Sequence, residues 1–129
     1  MEILYRAKRK DNKEWIEGYY AETIAEMKGF WTAKMVMQFI ITKDAESFLI
    51  DRETVSRYTG ITDRNNVKIF ENDIVKTKYG RLCKVIWFSS PSYQGWDLLP
   101  IESEHEKPSE RDLWNNLEVV GNVFDNYIE

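Results

Sequence analysis

The chain has 129 residues, 14% of them aromatic, a net charge of −4, and only one histidine and one cysteine. That length suits one compact unit, or two very small subdomains sharing a core. The 43% apolar and 31% charged content is that of a globular protein rather than a disordered one. A single cysteine excludes an intrachain disulfide and zinc sites built on cysteine pairs, and a single histidine excludes HExxH-type metal centres.

From the N-terminus, Met1 to Arg6 run into a charged segment without an apolar signal core, and Met35–Ile41 is too short to span a bilayer. The expected setting is a reducing cytoplasm. Ile3–Ala7 and Trp15–Tyr20 read as two strands joined by a turn at Asp11-Asn12, with Tyr5, Trp15 and Tyr19 placed to pack across the pair. Ala21–Lys28 carries Ile24 and Met27 at helical spacing, which predicts a short helix or loop ended by Gly29. Met35–Thr42 reads as a buried strand and Ser47–Ile50 as another. Asp51 is placed to cap a single turn, and Val55–Thr59 extends until Gly60 stops it.

Beyond residue 60 turns and strands alternate more regularly. Asp63–Asn66 and Glu71-Asn72 are turns flanking Val67–Phe70. Asp73–Lys78 and Leu82–Phe88 form a hairpin with its tip at Tyr79-Gly80. Ser89–Gly95 reads as a loop, Trp96–Pro100 as a strand, and Ile101–Asp112 as an acidic connection. Leu117–Phe124 is a last strand kinked at Gly121. Short strands at this spacing predict a mainly β protein with little helix.

Tyr58-Thr59-Gly60-Ile61-Thr62-Asp63, then Ile69-Phe70-Glu71-Asn72-Asp73-Ile74-Val75, resembles the YopX family of phage and prophage proteins. Val119-Val120-Gly121-Asn122-Val123-Phe124-Asp125-Asn126 is similar to that family's last strand, and Tyr5-Arg6-Ala7 with Trp15-Ile16-Glu17-Gly18 to its start. The chain departs from the family pattern at Arg57, at Tyr127, and at Asn66 and Asn72, where the family has turn glycines. Asparagine tolerates positive φ better than most residues, so these two turns are expected to survive. The resemblance implies a multi-sheet β protein, an N-terminal β subdomain over 1–59 and a partly open SH3-like barrel over 60–129. It implies no established reaction.

Candidate chemistry is sparse. Glu71 and Asp73 stand at i, i+2, which suits a carboxylate-based metal-dependent hydrolase; the plainer reading is a turn in which Asp73 bonds its own backbone. Asp63 opens a turn in the same way. His105 sits among carboxylates in an acidic loop and reads as solvated surface. Cys83 lies in a strand without an evident partner base and reads as a small hydrophobe. No glycine spacing suits a phosphate loop. We therefore expect no catalytic residue, no metal and no cofactor.

Two surfaces remain. Trp15, Trp31 and Trp87 read as core, while Trp96 and Trp114 border loops and form a candidate partner surface. Lys76, Lys78, Arg81 and Lys84 cluster on one hairpin and form a candidate nucleic-acid contact. Residues 65–96 carry +3 and residues 97–129 carry −7, so opposite charges are available for pairing between subunits. The leading expectation is a protein-interaction module that self-associates as a homo-oligomer and engages a phage or host protein, without a membrane partner. Nucleic-acid binding by the basic hairpin and a carboxylate hydrolase are the alternatives.

Overall fold

A computed structural model describes residues 3–29, 31–101 and 114–125. The protein is mainly β, as expected, with two antiparallel sheets and, among the described residues, no closed barrel. The chain divides into two units, Met1–Arg57 and Tyr58–Glu129. His105 and the predicted acidic connection beyond Ile101 lie outside the described residues.

In the first unit, β1 (Tyr5–Lys8) pairs with β2 (Trp15–Lys28) in the register Lys8↔Trp15 to Tyr5↔Gly18. The turn between them forms as predicted: the Asn12 Oδ1 accepts the Glu14 N–H at 2.9 Å, and Lys13 takes the left-handed conformation at φ 62°. Across this pair Tyr5 meets Tyr20, at 5.8 Å between centroids, rather than the exposed Tyr19.

Neither the short helix nor the loop expected over Ala21–Lys28 forms. That segment continues β2, which pairs over ten positions with β3 (Thr32–Ile41), from Tyr19↔Ile41 to Lys28↔Thr32. The cross-strand ladder overrides the weak helical spacing of Ile24 and Met27, which fall on opposite faces of the strand. β3 is likewise not the buried strand expected: only Ile40 is fully buried, while Met35 and Val36 are exposed.

β2 changes partner at Gly18, where an added Cβ would collide with the Ile41 carbonyl, so only glycine fits. β4 (Ser47–Leu49) then pairs with Ile41–Phe39. The 3₁₀ turn η1 (Arg52–Thr54) follows, without the predicted Asp51 side-chain cap. Instead Lys13 Nζ holds the Asp51 carboxylate at 2.7 Å, and the Thr54 hydroxyl closes the turn by donating to the Asp51 carbonyl at 2.7 Å. The core of this unit is Ala7, Ile40 and Ile50, flanked by Tyr5, Ile16, Tyr20 and Val55.

β5 (Ser56–Thr62) pairs through Ser56 and Arg57 with β1. It does not stop at Gly60 as expected. Gly60 takes φ +87° inside an irregularity, and Tyr58 and Thr62 pair on either side of it with β6 (Lys68–Phe70). In the second unit β7 (Asp73–Lys76), β8 (Leu82–Ser90), β9 (Tyr93–Pro100) and β10 (Glu118–Asn122) form a sheet ordered β10-β7-β8-β9. This open sheet is compatible with the partly open SH3-like barrel. The loop expected over Ser89–Gly95 is instead a hairpin that turns at Pro91-Ser92, with Ser90 opposite Tyr93. Alternation along β7, β8 and β9 puts Val75, Cys83, Val85 and Leu98 into a core with Ile69 and Leu117. Cys83 is there as the small hydrophobe expected.

Candidate functional site

In the second unit, residues of the family-like motifs have structural tasks. The Thr59 hydroxyl donates to the Ile69 carbonyl at 2.8 Å and accepts the Ile61 N–H at 3.2 Å, bracketing the Gly60 irregularity. Asp63 is nearly buried. Its Oδ1 accepts the N–H groups of Asn65 (2.8 Å) and Val67 (2.9 Å), and its Oδ2 accepts that of Val119 on β10 (2.9 Å). Burial pushes this carboxyl up, but the three backbone donors, with help from the Arg64 charge, outweigh it and hold it below the ordinary value of 3.8.

Asn66 and Asn72 lie at φ 64° and 71°, in the left-handed region that their substitution for glycine implied. Asp73 is fully buried, and its Oδ2 accepts the Phe70 N–H at 2.8 Å, as the turn reading required. The Asn72 N–H donates to the Val85 carbonyl and its carbonyl accepts the Val123 N–H, so this turn ties β8 to the end of β10. Asn122 closes the final motif: its Oδ1 accepts the Phe124 N–H at 2.9 Å and its Nδ2 donates to Asp125 at 2.7 Å. The pairing of β10 with β7 shifts between Val119 and Gly121, the kink expected there. A carboxylate that must accept buried backbone donors is poorly placed to bind a metal or exchange a proton. Among the described residues, no group of three or more histidine, cysteine or acidic side chains is positioned to hold a metal ion.

The basic hairpin forms with its tip at Tyr79-Gly80. Lys76 and Lys84 share the face of the sheet opposite Val75 and Cys83, since Lys76 stands across from Leu82 and Lys84 across from Ile74. Lys76 and Lys78 line a cleft of about 200 Å³ with Arg64, Thr77, Gly80, Asn116 and Glu118. Neither Lys84 nor Arg81 lines it, so the four predicted cations do not converge. Arg64, which sequence reasoning did not select, joins two of them, and it is already paired with Glu118 at 3.1 Å.

Two of the tryptophans expected in the core lie outside it. Trp31 is 76% exposed at the end of the β2–β3 ladder, and Trp87 is 41% exposed near the far end of β8, so neither is core. Trp15 is half-buried beneath the Arg6 guanidinium, 4.6 Å from its ring. Trp96 and Trp114 are half-buried against the second core, and Trp96 meets Trp87 edge-to-face at 5.2 Å.

Among the described residues, a run of exposed apolar side chains lies in the first unit, on the arm formed by β2 and β3. Register assigns Tyr19, Ala21, Thr23, Ala25 and Met27 of β2 to one face, together with Ala33, Met35, Met37, Phe39 and Ile41 of β3. On the other face Ile24 opposes Val36 between the charged pair Glu26↔Lys34 and the pair Glu22↔Gln38. Ile24 is 71% exposed and Met27 58%, with Met35, Val36 and Trp31 exposed beside them. At the arm's base the Tyr20 hydroxyl donates to Glu22 at 2.6 Å, and burial together with that contact pushes the phenol up to about 12. A cleft of about 460 Å³ lined by Lys10, Asp11, Phe39, Ser47, Phe48 and Leu49 lies by β4, with the Arg9 guanidinium 4.2 Å above the Phe48 ring.

Among the described residues no helix is long and apolar enough to cross a membrane. No curated protein matches the chain. The family model described as YopX protein matches residues 4–127, nearly the whole sequence, and the chain belongs to the YopX family.

Proposed function

We propose that this protein is an interaction module that assembles with copies of itself, and that the β2–β3 arm is the surface that does so. One observation carries this reading: a ten-pair ladder presents Ile24, Met27, Met35 and Val36 to solvent, with the exposed Trp31 at its end. A two-stranded ribbon is marginal in water on its own, and exposed apolar clusters of this kind mark contact surfaces. The reading includes action in the cytoplasm of a bacterial host on behalf of a phage or prophage, which rests on the family resemblance and the lone buried cysteine. It also leaves the half-buried Trp96 and Trp114 as a secondary contact for a phage or host protein.

An apolar interface and the pairing of the +3 and −7 segments differ in salt response. Sedimentation velocity at micromolar concentration is expected to show assembly that persists between 50 mM and 1 M salt, as apolar contact requires. The triple variant Met27→Ser, Trp31→Ser, Met35→Ser is expected to weaken it at least about tenfold, the equivalent of roughly 55 Å² of apolar burial. A protein monomeric under all these conditions overturns the proposal.

A second reading keeps nucleic acid as a partner, supported by Arg64, Lys76 and Lys78 around one cleft. It requires DNA or RNA binding at about 50 mM salt that is lost when Lys76 and Lys78 become alanine. No binding at that salt removes it.

A further inference from the structure

The arm also has an open edge. β4 covers β3 only from Phe39 to Ile41, and the Ile50 N–H donates to the Gln38 carbonyl at 3.2 Å. The backbone groups of Gln38 therefore point to the β4 side of β3. Alternate residues of a strand send both their N–H and C=O to the same edge, so Val36, Lys34 and Thr32 do likewise. Among the described residues no strand pairs with this stretch of β3. Natural edge strands are blunted by charges, prolines, bulges or brevity. This edge has one charge, Lys34, no proline, and a ladder to β2 without a register shift.

Resting on the self-association proposed above, we infer that the open edge of β3 pairs with the same edge of a second copy. The two edges run antiparallel about a two-fold axis at Met35 and make a continuous four-stranded sheet. The register follows from the side chains. An axis at Lys34 places two ammonium groups directly opposite each other, which destabilises a pair. An axis at Val36 sets Lys34 opposite Gln38 of the partner subunit, whose carbonyl already accepts from Ile50, so that Val36 alone is left to pair, whereas with the axis at Met35 Gln38 meets only the terminal Thr32. An axis at Ala33 leaves only Thr32 and Lys34 to pair. With the axis at Met35, Lys34 and Val36 exchange backbone hydrogen bonds with Val36 and Lys34 of the partner subunit. Met35 then lies beside Met35 of the partner subunit, and Ala33 beside the partner's Met37. Lys34 keeps Glu26 opposite it within its own hairpin. The occupant is a second copy because the segment is complementary to itself in this register.

At the axis the two Met35 positions form a non-hydrogen-bonded pair, with Cα atoms about 4.5 Å apart, inside the range a disulfide spans. In a Cys83→Ala background, Met35→Cys is expected to oxidise to a covalent dimer at least tenfold faster than Ala33→Cys or Met37→Cys. Val36→Pro removes an outward N–H without touching the ladder to β2, so it is expected to give a monomer with an unchanged far-UV spectrum. A wild-type protein that is monomeric defeats both the register and the self-association behind it. A wild-type dimer that survives Val36→Pro, and cross-links no faster at 35 than at 33 or 37, overturns the register alone.

Discussion

The two units solve opposite problems with the same secondary structure. In the second, polar side chains turn inward: Asp63, Asp73 and Asn122 hold backbone groups, and three asparagines take the left-handed conformation. In the β2–β3 arm of the first, apolar side chains turn outward on a ladder with no polar side chain buried to hold it. The sequence motifs that place the chain in its family lie mostly in the second unit. The surface we connect with function lies where those motifs are absent. Motif density here marks the residues that build the fold, and a contact surface needs only exposure and shape.

Stability measurements are the direct way to break that contrast. The largest effect is expected at Asp63. Asp63→Ala leaves three backbone N–H groups without their acceptor and should cost about 3 kcal/mol in chemical denaturation. The lowered carboxyl of Asp63 also sets a pH signature. Its stabilisation is complete above the ordinary 3.8 and is lost as the pH falls below that, through the lower folded value. Asp63→Asn should therefore be less stable than wild type at neutral pH, with the gap in Tm narrowing only below about pH 4. A gap of constant size down to pH 2 would show that the charge is not what the turn uses.

A smaller effect is expected at Asn72. Asn72→Ala at φ 71° should cost about 1 kcal/mol, while Asn72→Gly should be neutral or slightly stabilising. Equal effects of alanine and glycine would remove the conformational explanation. Smallest of all, the arm variant Met27→Ser, Trp31→Ser, Met35→Ser should change monomer stability by less than about 0.5 kcal/mol, because these side chains lie outside either core. A loss above 2 kcal/mol would mean that the arm is a packed element rather than a presented one.

The legibility of the sequence follows the same division. The turns at Asp63–Asn66 and Glu71-Asn72, the hairpin tip at Tyr79-Gly80 and the kink at Gly121 were readable because each depends on local chemistry: a short acceptor, a tolerance for positive φ, a missing side chain. The arm was not. Strand alternation becomes visible only when a core selects one face, and between Thr23 and Met37 apolar residues occupy both faces. Ile24 and Met27 therefore mimic helical spacing. The tryptophans misled for a related reason. Trp87 continues the inward alternation of Cys83 and Val85, but it lies beyond Val85 and Leu98, the last fully buried pair on that face. Arg64 entered the basic cleft through the turn that Asp63 organises, a placement that a search for charge runs along one hairpin does not detect.

β2 is one uninterrupted strand from Trp15 to Lys28, and it trades β1 for β3 at Gly18. Its ladder with β3 spans nine steps, roughly 30 Å at the rise of an extended strand. Whatever grips the tip therefore pulls on the same covalent strand that lines the first core through Ile16. A pull along the arm loads the hydrogen bonds between β1 and β2 in shear, where they yield together rather than one at a time. On the proposed reading the arm serves as a mechanical tether as well as a contact surface, anchored by the strand it grows from.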